Sequence, residues 1–136
     1  KVTDLEYSWP GQVEDAQVIF SEIAKTDVDF IHVAAHHGVN PIFGTSKSLS
    51  GLAKEYSGLP IIANGKLHEP LSAESALKSG EGDFVSIGKG ALADPHWPNK
   101  LLAGQVPIEF VPDMISPLAT LENYYDWRTK STGSDQ

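Results

Sequence analysis

Two stretches decide the reading of this chain: Leu59-Pro60-Ile61-Ile62-Ala63-Asn64-Gly65-Lys66 and Asp83-Phe84-Val85-Ser86-Ile87-Gly88-Lys89. Each begins as a short, nearly unbroken apolar run and ends in Gly-Lys. Such runs predict strands buried on both faces, as in a parallel sheet. Pro60 fits only at a strand start, because it donates no ladder hydrogen bond. Upstream, Asp29-Phe30-Ile31-His32-Val33-Ala34-Ala35 has the same character and predicts another strand. The intervals carry a different period. Ala16, Phe20, Ile23 and Ala24 fall on one face of a helix over Val13–Ala24. Leu49, Leu52, Ala53 and Tyr56 repeat that spacing, with Gly58 as the C-terminal stop. A further helix is predicted over 70–79: Pro70 suits the first helical position, Gly80 lies past the end, and Glu69 is a mediocre cap. Asp94 followed by Pro95 predicts the N-cap of a helix over 94–103, stopped by Gly104. The order αβαβαβα implies an α/β fold whose parallel strands are joined by right-handed crossovers.

A weak internal repeat supports this. Residues 24–30 and 77–84 each pass from a helix end into an Asp-Phe strand start, as stacked copies of one βα unit would. Beyond Gly104 the pattern fades. Residues 106–111 suit a short extended stretch, 118–127 an aromatic-rich helix, and 129–136 a polar, frayed tail. The expected organisation is a loop remnant over 1–12, βα units over 13–104, an extension over 105–128 and a disordered tail over 129–136.

Composition narrows the function. The chain has 136 residues, enough for one ordinary domain. Ten basic against 18 acidic residues give a net charge of −8, which repels phosphate backbones and anionic membranes. There is no Cys, so disulfides, thiolate metal sites and a cysteine nucleophile are excluded. No apolar run approaches the roughly 20 residues of a membrane span. No charged-then-apolar leader follows Lys1, which gives the expectation of a cytoplasmic location.

Ligands of parallel α/β sheets bind at the carboxyl ends of the strands. There the two Gly-Lys pairs, Gly65-Lys66 and Gly88-Lys89, share one design. Glycine lets backbone N–H groups approach an anion, and lysine adds the compensating charge. Either dipeptide alone reads as a tight turn with a solvated lysine. Together, after consecutive parallel strands, they read as one phosphate cup in an acidic protein. A rival uses the same residues: Gly88-Lys89-Gly90-Ala91-Leu92-Ala93 matches the dinucleotide pattern G-x-G-x-x-A, and Glu109 lies near the distance of a ribose-binding acid. Against it, Asp94-Pro95 is expected to postpone the helix, and Pro107 spoils the following strand.

Of the histidines, His36 and His37 fall on the first strand-end loop, where a solvated loop role is the default and a binding role the alternative. His32 is expected to hydrogen-bond within the core, and His68 and His96 to lie on the surface. Ser46 and Ser86 have no base partner in a nucleophile motif. No clear third ligand accompanies the paired histidines, so no metal site is expected. Glu81 and Asp83 flank a strand start, away from the expected site, and Tyr124, Tyr125 and Trp127 are read as packing.

These residues also carry a resemblance. The 59–66 stretch, Ala76-Leu77-Lys78-Ser79-Gly80, the run from Asp83 through Asp94-Pro95, and Pro98-Asn99-Lys100 resemble the C-terminal half of the Old Yellow Enzyme (NADH:flavin oxidoreductase) family. Asp29-Phe30-Ile31-His32-Val33 resembles its sixth barrel strand, and Tyr7-Ser8-Trp9-Pro10 the loop after its fifth. The resemblance implies a partial (β/α)8 TIM barrel holding the last three βα units, strands six to eight. It also implies a parent enzyme in which NAD(P)H reduces FMN, which then reduces an activated alkene or similar acceptor. By the same resemblance, Gly65, Lys66, Gly88 and Lys89 contact the FMN phosphate. Lys89 stands where the family usually has arginine; it supplies charge without the planar fork. A full barrel takes about 250 residues, so this chain alone is expected to be inactive and to self-associate or pair with the missing half. The alternatives are another phosphate-binding barrel, dihydroorotate dehydrogenase-like, or a non-catalytic phosphate-binding or oligomerising module.

Overall fold

The computed structural model describes residues 8–132; the remainder of the expected loop remnant, with Tyr7, and of the expected tail lies outside the described residues. The described chain divides into two compact units, separated between Ile87 and Gly88.

The first unit is a three-stranded parallel sheet with helices between its strands. Helix α1 (Val13–Ala24) precedes β1 (Ile31–Ala34), α2 (Leu49–Ser57) precedes β2 (Ile61–Asn64), and α3 (Pro70–Lys78) precedes β3 (Phe84–Ser86). The sheet order is β1-β2-β3, and Ala34, Asn64 and Ser86 stand level across it. The helix signals act as expected. The Ser48 hydroxyl accepts from Gly51 N at 3.1 Å and opens α2, and Gly58, at φ 68°, closes it. Glu69 makes no side-chain cap bond at the start of α3.

One core cluster joins Ala16 and Phe20 of α1 and Leu52 and Ala53 of α2 to Val33 and Ile61 of the sheet. A second joins Ala73 and Ala76 of α3 to Ala63 and Leu67, with Val85 and Ile87 packed against them. The strand stretches are not buried on both faces. Along β2 burial alternates, and Phe30 and Phe84, which an all-buried strand would hide, are 53% and 62% exposed. Ile31, Val33, Ile61, Ala63 and Val85 face the helices. The other face carries Phe30, His32, Ile62, Asn64, Phe84 and Ser86, and His32 is exposed rather than in the core.

Two acidic residues flank the start of β3, as expected, and both have structural partners there. Asp83 pairs with Lys54 at 2.7 Å and accepts from Ile61 N at 2.7 Å, and Glu81 accepts from Ser48 N at 3.2 Å.

The second unit corrects the sequence reading. A short helix α4 (Lys89–Ala93) starts within the Gly88-Lys89-Gly90 motif, so Asp94-Pro95 does not postpone the first helical turn. Asp94 ends α4; the next helix, α5, is Trp97–Leu102, with His96 at its N-cap. Residues 106–111 form no strand; they lead to a 3-10 turn, Pro112–Ile115. Helix α6 (Leu121–Thr132) begins later and runs further than expected, so residues 129–132 are helical rather than frayed. Among the described residues, no helix is long and apolar enough to cross a membrane.

Candidate functional site

The carboxyl end of β2 turns through a conformation that its residue types explain. Gly65 has φ 126°, outside what an L side chain tolerates. It also sits against the loop after β1: a Cβ there would lie 2.5 Å from the Ala35 carbonyl oxygen and 2.7 Å from Gly38 N. The two loops are tied by Gly38 N donating to the Gly65 carbonyl at 2.8 Å. Lys66 follows in the left-handed region, at φ 54°, with its side chain exposed.

This interlock brings the first loop's histidines to the lysine. Lys66 Nζ lies 3.4 Å from His37 Nε2. An ammonium only donates, so Nε2 accepts and the ring proton resides on Nδ1. His36 meets the His37 ring edge-on, with centroids 4.7 Å apart. Partial removal from water, then the Lys66 charge and His36, hold the His37 imidazole below its ordinary value; Glu69 opposes them. The sequence placed His36 and His37 on the right loop but gave them no partner, because 29 positions separate His37 from Lys66.

A second polar group spans the exposed sheet face. Asn64 Nδ2 donates to Ser86 Oγ at 3.0 Å and to the Ser86 carbonyl at 3.1 Å. Ser86 Oγ also lies 2.8 Å from His32 Nε2, within hydrogen-bond distance. The imidazole neighbour that the sequence did not show for Ser86 is supplied by strand register. Asn64 bonds the hydroxyl rather than the imidazole, whereas the third member of a nucleophile triad orients the histidine, so the group ties three strands together and does not reproduce such a triad. Toward the amino end the same face is apolar: Asp29, Phe30, Pro60, Ile62 and Phe84 line an open depression of about 380 Å³.

In the second unit, Gly88 precedes α4 with open space where a Cβ would project. The Lys89 ammonium lies 5.5 Å from the centroid of Phe110. Asp94, with its side chain 3% exposed, pairs with Lys100 at 2.6 Å and accepts from Ile108 N at 2.9 Å and His96 N at 3.2 Å. Burial pushes this carboxyl upward, but the Lys100 bond, the two amides and the Lys100 charge outweigh it and hold it below its ordinary value. Tyr124 stacks with Trp127 and reaches the Ala93 carbonyl at 3.4 Å, in keeping with a packing role. His96 is exposed, and His68 is half-buried with partners of its own.

Among the described residues no cluster of three histidines or carboxylates is placed to hold a metal ion. No protein-family model matches the chain. Curated relatives do. An NADH oxidase of Thermoanaerobacter brockii is 30% identical over 68% of this chain and 16% of its own length. An NADH:acrylate oxidoreductase of Vibrio harveyi is 29% identical over 77% of this chain and 11% of its own. A bilirubin reductase of Clostridium symbiosum is 33% identical over 65% and 27%. The chain therefore spans a minor part of the relatives it matches. Among solved structures, a variant of NCR from Zymomonas mobilis superimposes with a TM-score of 0.68 over 90% of this chain and 39% of its own, at 20% identity. The Zymomonas mobilis Old Yellow Enzyme homologue gives 0.59 over 85% and 31%, at 22% identity. The resemblance read from 59–66 and 83–95 is thus found again in both sequence and fold.

Proposed function

We propose that this chain, similar in sequence and fold to Old Yellow Enzyme-type oxidoreductases, is the C-terminal part of an FMN-dependent NAD(P)H oxidoreductase. Its three strands are the sixth, seventh and eighth of a (β/α)8 barrel. The observation that carries the reading is the repeated strand-end design. Asn64 and Ser86 are register partners, and each strand runs on within two residues into Gly-Lys. Relatives named as an NADH oxidase and an NADH:acrylate oxidoreductase support a redox cofactor, and flavin is the phosphate-bearing one that the resemblance implies.

The residues fit that group. Gly65 and Lys66 already hold positive-φ conformations, and Gly88 leaves its Cβ side open. In this reading Gly65, Lys66, Gly88 and Lys89 hold the FMN phosphate through amides and ammonium charge. FMN would supply the hydride chemistry, accepting from NAD(P)H and passing to an activated acceptor. The lateral tie of His32, Ser86 and Asn64 fixes the strand ends from which the loops depart. The first five strands must then come from the rest of the polypeptide. The exposed sheet face, with Phe30 and Phe84, is the surface they cover or on which copies of the chain associate.

The test is a titration of the chain with FMN, followed by flavin fluorescence, beside a Gly88→Asp variant. Saturable binding that the added carboxylate abolishes is the expected result. Equal binding by both, or none in a protein carrying the whole barrel, would exclude Gly88 from the phosphate site.

A further inference from the structure

We propose that His37 is a further donor of the oxyanion site at Gly65-Lys66, taking up a proton when a phosphate-type dianion binds there. The inference rests on the preceding reading of Gly65 and Lys66. It adds a residue from a different strand-end loop and a pH dependence.

Geometry carries it. The loop after β1 is locked to the loop after β2 by the Gly38 N to Gly65 carbonyl bond and by the close approach that only glycine at 65 allows. That lock sets the imidazole Nε2 and the ammonium 3.4 Å apart, with both side chains exposed. Two nitrogen groups so close, in a chain of net charge −8, form a local exception to its acidic surface. Without an anion, Lys66 disfavours a charged imidazole and uses Nε2 as its acceptor. An oxyanion that takes over the lysine's hydrogen bond reverses both effects: Nε2 is released, and a proton on it faces negative charge instead of positive. The titratable groups acting on His37 are Lys66 and His36, which lower its pKa, and Glu69, which raises it. Glu69 alone favours the charged ring before ligand arrives. The bland alternative is a surface Lys–His hydrogen bond without a ligand, and it predicts no response to phosphate.

The experiment is proton NMR of the full chain from pH 5 to pH 8.5, with the His37 ring signal assigned by its loss in His37→Gln. Inorganic phosphate, FMN, riboflavin and acetate are added in separate series. Phosphate and FMN are expected to raise the His37 pKa by about one unit, and riboflavin and acetate to leave it alone. The ratio of phosphate affinities, unmodified chain over His37→Gln, should then rise about tenfold as pH falls through the imidazole range. Phosphate binding that is lost in Lys66→Gln but leaves the His37 signal unmoved overturns this inference and spares the Gly65-Lys66 reading. Acetate acting as strongly as phosphate overturns the ligand class. No phosphate binding overturns the inference and the phosphate reading together.

Discussion

Replacing Gly65 by alanine separates two physical costs that this fold concentrates at one position. Three glycines form a graded set. Gly58 has φ 68° and nothing within 4 Å of where a methyl would project, so Gly58→Ala incurs only the left-handed penalty, about 1 kcal/mol. Gly38 has no positive φ, but a Cβ would lie 3.0 Å from the Asn64 and Gly65 carbonyl oxygens, so Gly38→Ala incurs only crowding, about 2 kcal/mol. Gly65 combines φ 126° with approaches of 2.5 Å to the Ala35 oxygen and 2.7 Å to Gly38 N. Both atoms are backbone, so neither can swing aside, and the sum is about 3 kcal/mol. The reduced entropy of the unfolded chain is common to all three substitutions and cancels in the comparison. At this chain length about 3 kcal/mol corresponds to a fall of about 12 °C in Tm. Thermal melts by circular dichroism give the ranking directly: Gly65→Ala lowest, then Gly38→Ala, then Gly58→Ala. Gly65→Ala melting level with Gly58→Ala would refute the claim that the two loops are interlocked at this point.

Two further outcomes follow from other parts of the chain. Asp94 titrates below its ordinary value, so its contribution to stability is present above the unfolded carboxyl range near pH 4 and is lost as pH falls through the lower native value. Asp83, held down by its hydrogen bonds to Lys54 and the Ile61 amide, acts in the same direction. Asp94→Asn should therefore be less stable than the unmodified chain at pH 7, with the gap closing toward pH 2; urea denaturation showing a gap independent of pH would contradict the ionic role of the carboxylate. Phe84→Asp, placed on the exposed sheet face at a side chain 62% exposed, should leave the melt nearly unchanged while lowering any self-association seen by light scattering. An unchanged mass distribution in associated samples would show that this face is not the contact.

How much of the fold is legible in the sequence follows from the range of the interactions concerned. Ala16 and Phe20 are one helical turn apart, so the buried face of α1 is a local pattern; Gly58 and Gly80 end helices by their own backbone freedom at φ 68° and 73°. Two-sided burial of the strands fails as an expectation because an apolar run does not say which face has a partner. Phe30, Ile62 and Phe84 are as apolar as Val33 and Ile61, yet only the latter pair meets the helices. Asp94-Pro95 suggests a helix start because the residue types suit a cap. The carboxylate is instead engaged by Lys100 and by Ile108, 14 positions on, which no local rule anticipates. The strand-end loops are recognisable from glycine and lysine alone, whereas their neighbours His37, His32 and Ser86 acquire meaning only from register across 29 and 54 positions.

Register also explains why the exposed sheet face is not simply a core left bare. Along the strand direction its chemistry changes in order. Phe30 and Pro60 come first, then the level of His32, Ile62 and Phe84, then that of Ala34, Asn64 and Ser86, and last, after β2, Gly65 and Lys66. Apolar contact gives way to a hydrogen-bonded tie, and after β2 that tie gives way to a cation on the glycine-bent loop of Gly65 and Lys66. A face evolved only for packing would place apolar residues at every level, because an amide or imidazole there adds a desolvation cost that a methyl group does not. A face evolved only for solvent would not keep Phe84 and Phe30 exposed side by side with Ile62. The gradient matches a barrel whose lower layers are packed and whose carboxyl-terminal rim binds a charged ligand. Asn64 and Ser86 stand at the transition, so the hydrogen bonds that satisfy the last polar layer also hold the strand end from which Gly65 and Lys66 depart.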